Sequence, residues 1–283
     1  KGAGVGAWLD SLPDIVATGT LRAVVSAIEG AKKAGKPVIW GFGGHVIKCG
    51  LAPVLIDLAR RGFATAFATN GSGSIHDFEI AIAGHTSEDV EAVLPDGSFG
   101  AAEETGREMN LAIGEGLAEG LGIGESLGKW LHTRIAAPHS EASLLAQAYA
   151  LKIPFTVHVA YGTDTPNFHE AADPAAIGAG TAADFRLFST LVSELDQGGV
   201  YLNVGSAVVL PEVFLKAVTL VRNLGMPLRS FTTVNMDFLQ HYRPKANVVE
   251  RPHAGAGGKG YSLTGHHELV VPVLAALLVE RDG

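Results

Sequence analysis

The residues best suited to chemistry fall in five short clusters: Gly43-Gly44-His45 with Lys48, Asn70-Gly71-Ser72-Gly73 with His76 and Asp77, Thr163-Asp164 with His169, Asn203 with Gly205 and Ser206, and Asn235 with Asp237. Glycine lets backbone come close to a ligand, amides and hydroxyls bond its polar groups, and imidazole or carboxylate moves protons. His76 and Asp77, at the start of a predicted helix, are the leading acid–base candidates, since an imidazole titrates near neutrality. Lys48 could serve as an amine nucleophile or an anion anchor, and His45, three residues earlier, is a further candidate. The amides of Asn70 to Ser74 could cradle a phosphate. Asp237 could accept hydrogen bonds from a ribose diol. Each cluster also has a plain structural role open to it: a tight turn, a helix cap or a solvated surface.

No metal site is expected. The eleven histidines include His266-His267-Glu268 and the pair His132 and His139. Adjacent histidines diverge on a helix, whereas ligand pairs need a spacing of three or four residues. The lone Cys49 excludes an internal disulfide and a multi-cysteine zinc site, and it reads as a small buried residue in a reducing compartment.

The clusters acquire meaning from the elements around them. Short apolar runs at 37–42, 63–69, 153–159, 200–204 and 230–235, the last of the series, read as buried parallel strands. Helical periodicity marks 21–34, 51–61, 75–83, 103–117, 141–151, 182–195, 211–223 and 267–279, while 88–98 is an excursion and 114–128 is too glycine-rich to assign. Alternating strands and helices predict a Rossmann-like, doubly wound parallel sheet flanked by helices. In such sheets ligands bind beyond the carboxyl ends of the strands, and all five clusters lie there.

The 283 residues are read as one α/β domain, with a helical lead-in over 1–35 and a core over 36–280. Glycine occurs 36 times, nearly twice the usual share of about 7%. A net charge of −8 with scattered Lys and Arg gives no footprint for nucleic acid. No apolar run reaches the roughly 18 to 20 residues of a membrane span, and the opening Lys1-Gly2-Ala3-Gly4-Val5-Gly6 lacks a secretory signal, so a cytoplasmic location is expected. No G-x-G-x-x-G follows the first strand and no P-loop motif occurs, which disfavours P-loop nucleotide hydrolysis.

Asn70-Gly71-Ser72-Gly73-Ser74-Ile75-His76-Asp77-Phe78-Glu79, followed by Gly84-His85-Thr86-Ser87, resembles a pattern of the archaeal-type ornithine cyclodeaminase domain, also labelled lysine-oxoglutarate reductase/saccharopine dehydrogenase-like. Gly43 to Gly50 is similar in position to the first NAD-contacting loop of that domain and of deoxyhypusine synthase, and Thr163-Asp164 looks like the latter's Thr-Asp-Gly loop. Val234-Asn235-Met236-Asp237 resembles the strand end that meets the adenine ribose in this NAD-binding superfamily. The likeness covers most of residues 36–280. It implies a deoxyhypusine-synthase-like fold and NAD as cofactor, held by Gly44, His45, Asn70, Gly71, Ser72, Thr163, Asp164, Asn203, Gly205, Ser206, Asn235 and Asp237. It also implies oxidation of a substrate C–N bond to an imine, which lets NAD act without net redox change.

Two departures argue against authentic deoxyhypusine synthesis. That family keeps a lysine near its last catalytic loop, whereas 246–252 has none and Lys245 stands just before; and where it has an acid for a polyamine, this chain has His169. The expected substrate is therefore a small amine, amino acid or similar polar metabolite, with His76, Asp77, Lys48 and His169 as catalytic candidates and the choice among oxidoreductase, lyase and transferase open. A transferase or lyase holding a phosphorylated sugar or nucleotide in the same crevice, and a non-catalytic ligand sensor, are the competing readings. By analogy with multimeric relatives a homo-oligomer is expected, with the glycine-rich segment 114–128 at an interface.

Overall fold

The computed structural model describes residues 4–134 and 137–282; residues 1–3, the start of the expected lead-in, lie outside them. Among the described residues six strands form one sheet: β1 (Val38–Phe42), β2 (Ala66–Asn70), β3 (Phe155–His158), β4 (Val200–Val204), β5 (Thr232–Asp237) and β6 (Lys259–Thr264). Every pairing is parallel and the order is β3-β2-β1-β4-β5-β6. The chain runs outward from β1 to one edge, then returns to build β4 to β6 on the other side. The point of reversal, between β1 and β4, is where such folds open a crevice.

The helices are α1 (Val5–Ser11), α2 (Val16–Lys33), α3 (Gly44–Lys48), α4 (Ala52–Arg60), α5 (Gly71–Ala83), α6 (Val90–Val93), α7 (Glu103–Ala118), α8 (Ile123–Thr133), α9 (Leu144–Ala150), α10 (Pro174–Ser193), α11 (Val209–Asn223), α12 (Tyr242–Pro244) and α13 (His267–Asp282). They cover both faces. Because side chains alternate along a strand, Val38, Trp40, Phe42, Leu202 and Met236 enter a core with Val24 of α2, Leu55 of α4, Phe78 of α5 and Leu274 of α13. Ile39, Ala68 and Tyr201 enter the opposite core, with Phe188 of α10 and Phe214 of α11. Tyr201 stacks on Phe214 at 3.9 Å, and Gly41 beside it is bare because a Cβ there would stand 2.6 Å from the tyrosine oxygen.

Three sequence expectations change. The strand at 230–235 is not the last, since β6 pairs along the whole of β5. Its edge position leaves mixed exposure, and Lys259-Gly260-Tyr261-Ser262-Leu263-Thr264 carries none of the apolar continuity of the inner strands. The turn at 70–74 is instead the first turn of α5, with the Asn70 side chain capping it through Gly73 N–H at 3.1 Å. The unassigned segment 114–128 holds the end of α7 and most of α8. Its Gly116, Gly124 and Gly128 admit Ser126, the Phe155 carbonyl and the Leu145 carbonyl so closely that a Cβ would collide with each, so these three glycines serve packing within the chain.

Candidate functional site

At the point of reversal two glycines meet. A Cβ on Gly43, which follows β1, would lie 2.3 Å from the carbonyl oxygen of Gly205, which follows β4 with a left-handed φ of 66°. Any side chain at Gly43 would force the two turns apart. A Cβ on Gly44 would strike Ser72 Oγ at 2.2 Å and approach His76 Cδ2 at 3.1 Å. The first turns of α3 and α5 thus interlock, and His76 is brought against the loop that follows β1.

His76 is held by two groups the sequence reading did not place among the site residues. Its Nδ1 lies 2.7 Å from Thr86 Oγ1, and the Thr86 hydroxyl donates to Glu79 Oε2. A hydroxyl has one proton. Because Thr86 gives it to Glu79, the Thr86 oxygen accepts from His76, which places a proton on Nδ1 and, in the neutral ring, leaves Nε2 bare. Burial pushes the Glu79 carboxyl up, but the nearby His76 imidazole, the Thr86 hydroxyl and the Ser87 N–H outweigh it and leave it below the usual range. Ser87 adopts a left-handed φ of 79°, strain of about 1 kcal/mol or more for a non-glycine residue, at the edge of this group.

His76 Nε2 has no protein partner among the described residues, and the side chain is 18% exposed. It borders a cavity of about 190 Å³ lined also by Ser72, Glu79, Thr105, Thr163 and Asp164. This cavity shares Glu79, Ser87, Glu88 and Thr105 with a larger groove of about 570 Å³ that runs on past Arg107 to Trp130. Its carboxylates are Glu79, Glu88 and Asp164, an acidic lining that suits an ammonium group.

Asp164 bears on the phosphate reading. A Cβ on Gly71 would fall 2.0 Å from Asp164 Oδ2, so this carboxylate already occupies the N-terminus of α5, the place an anion would take. Burial raises its pKa, opposed by the Ala160 N–H and the Thr163 hydroxyl. Thr163 bonds the Ala160 carbonyl at 2.8 Å and ties the loop.

The other expected residues are distributed unevenly. Asp77, one residue from His76, turns the opposite way: its carboxylate is buried and accepts from Ser143 Oγ, Leu144 N and Leu145 N at 2.6, 2.8 and 2.9 Å, anchoring the start of α9. Its position is that of a structural anchor, with burial lifting its pKa to about 6 against those three donors. Lys48 ends α3 with an exposed side chain and lines neither cavity. His169 accepts the Ala171 N–H at Nδ1 and faces Glu103 through Nε2 at 3.0 Å, tucked beneath Gly106 of α7 and away from the His76 cavity. Asn203 and Asn235 are fully buried register partners; Asn203 Nδ2 donates to Asn235 Oδ1 at 2.8 Å and Asn235 Nδ2 to Gln240 Oε1 at 2.8 Å. They brace β4 and β5 from inside the sheet. Ser206 accepts from Leu210 N at 3.2 Å and leads the chain into α11.

Asp237 ends β5 nearly buried, with the His267 imidazole 4.0 Å away. His267 Nε2 meets the Met236 carbonyl at 3.2 Å, and the ring lies over Gly205, where a Cβ would be 2.8 Å from it. Two buried polar atoms here are without partners among the described residues, Asn203 Oδ1 and His267 Nδ1. The point of reversal therefore combines bare glycines, unsatisfied polar atoms and a carboxylate at a strand end, a set that fits a polar dinucleotide. The signal for the missed residues was present: Glu79 stands three positions after His76, the spacing that puts two side chains on one helix face. Thr86 and His267 reach their partners only through the fold.

The fold is that of the doubly wound parallel proteins. No family model and no curated protein matches the sequence. Solved structures do match in fold. The ternary complex of AgrE with ornithine and NAD+ aligns with a TM-score of 0.55 at 14% identity over 92% of this chain and 33% of that one. A conserved LOR/SDH candidate from Methanococcus maripaludis S2 aligns with a TM-score of 0.55 at 13% identity over 95% of this chain and 72% of that one. A candidate deoxyhypusine synthase from Entamoeba histolytica aligns with a TM-score of 0.58 at 11% identity, covering 99% of this chain and 94% of that one. The chain thus spans about a third of the length of AgrE. No helix among the described residues is long and apolar enough to cross a membrane.

Proposed function

We propose that this chain is an NAD-dependent enzyme that oxidises the C–N bond of a small amine or amino acid, with His76 as its general base. The observation that carries the reading is the bare Nε2 of His76, fixed by Thr86 and Glu79, in an acidic cavity beside the glycine turns at the strand ends. Gly44, Gly205, Ser206 and Asp237 would hold the dinucleotide, consistent with the NAD+ seen in the AgrE complex of the same fold. NAD supplies a hydride acceptor for the carbon that bears the substrate nitrogen.

The chain's own residues do the rest. Glu79, Glu88 and Asp164 attract the ammonium form. His76 Nε2 takes a proton from that nitrogen, so its lone pair can form the C=N bond as the hydride leaves; the imidazolium that results is stabilised through Thr86 by Glu79. The Asp164 carboxylate over α5 disfavours a phosphorylated substrate at that helix. The test is calorimetric titration with NAD and NADP, followed by a screen of amines and amino acids. Saturable NAD binding that Asp237→Ala weakens at least tenfold, with turnover lost by a factor of about 10² to 10⁴ in His76→Ala, is the expected result. Absence of dinucleotide binding overturns the reading.

A further inference from the structure

His45, Cys49 and Glu268 converge although they come from distant parts of the chain. His45 lies in α3 and Cys49 caps its C-terminus four residues on, so one helical turn stacks them on the same face. His45 Nε2 is 3.1 Å from Cys49 Sγ, and Glu268, in the first turn of α13, brings Oε2 to 3.9 Å from that sulfur. One ligand atom from each of the three lies within 4.8 Å of the others. A tetrahedral centre with bonds of about 2.0 to 2.3 Å spaces its donors by roughly 3.3 to 3.7 Å, which small side-chain rotations here would reach.

We propose that His45, Cys49 and Glu268 form a three-ligand site for a borderline divalent cation of the Zn2+ class. One nitrogen, one sulfur and one carboxylate oxygen are the donor types such an ion accepts, whereas Mg2+ or Ca2+ would require an oxygen cage. Charge supports the same assignment. Among the described residues Glu268 has no lysine or arginine partner, and its nearest basic neighbour is His266 Nδ1 at 3.8 Å. His45 and Glu268 are exposed and Cys49 is partly so, so a fourth position stays open to water or a ligand. This revises the expectation that no metal would bind. His266 and His267 do diverge, as their adjacency requires, and the site instead recruits Glu268 beyond them and two side chains from α3. The proposal does not depend on the cofactor reading.

The test uses the full chain freed of metal by chelator dialysis and titrated with Co2+, then with Zn2+ against a chromophoric chelator. The expected result is a near-ultraviolet thiolate-to-cobalt charge-transfer band with tetrahedral visible bands, saturating at one equivalent. Zn2+ affinity should fall more than tenfold in Cys49→Ser and in Glu268→Gln and stay unchanged in His132→Ala. A wild-type protein without the thiolate band overturns the proposal, as does a Glu268→Gln variant that binds Zn2+ like the wild type. Should Cys49→Ser fail to fold, Glu268→Gln, altered only at an exposed carboxylate, decides alone.

Discussion

His76 and Asp77 show how little two neighbouring residues need share. Helical geometry turns successive side chains about 100° apart, so one faces the cavity and the other enters the core beneath α9. The sequence displayed both as polar residues near a helix start, and neither residue type says which one lines the cavity and which anchors a helix. What separates them is the partner set, and Thr86 is its key member. Thr86→Val keeps the volume and removes the hydroxyl, so the imidazole loses the acceptor that holds its proton on Nδ1. The expected outcome is a shift of the His76 ring nitrogens, read by ¹⁵N NMR, toward a mixture of tautomers, with turnover lowered by about 10- to 100-fold. An unchanged tautomer in Thr86→Val would remove the relay from the account.

At the scale of elements, two buried acids hold two helix starts. Asp77 caps α9, and Asp184 of α10 accepts from Gly124 N at 3.0 Å and Val157 N at 2.8 Å, tying the first turn of α8 to β3. Burial dominates in both, raising Asp77 to about 6 against the Ser143 hydroxyl and two backbone donors and Asp184 to about 7 against its backbone donors. The sign follows from proton uptake. An unfolded aspartate titrates near 3.9, so between about pH 4 and pH 7 the native state holds more protons than the unfolded chain. The stability these groups contribute is full below about pH 4 and is lost as pH rises through about 6 and 7. Asp184→Asn keeps an oxygen for both N–H donors and cannot ionise, so its urea midpoint should decline less than that of the wild type between pH 4.5 and 7.5. Parallel curves would mean that Asp184 does not titrate in this range. Neither cap was legible in the sequence, because each bonds an element many residues away; the inner strands were, because burial on both faces leaves a continuous apolar run. β6 escaped for the complementary reason, since an edge strand with mixed exposure has no such run.

For the whole molecule, the sheet is the common wall of two cores, one against α2, α4, α5 and α13 and the other against α10 and α11. Chain length and alternation foreshadowed this arrangement, and the single-domain expectation turns on whether the cores fold together. Strands β1 and β4 give alternate residues to each: Trp40 and Leu202 to the first, Ile39 and Tyr201 to the second. Neither core can come apart without exposing the other's floor. Phe214→Ala tests the coupling, because Phe214 is fully buried in the second core and stacks on Tyr201, while the buried tryptophans, Trp40 and Trp130, lie in the first. Removing that ring should cost about 3 to 5 kcal/mol through lost transfer energy and the cavity left behind. If the cores form one cooperative unit, the urea transition followed by tryptophan fluorescence shifts as far as that followed by circular dichroism, although no tryptophan touches the altered site. A tryptophan transition that stays in place while the circular dichroism signal moves would divide the chain into two units along the sheet.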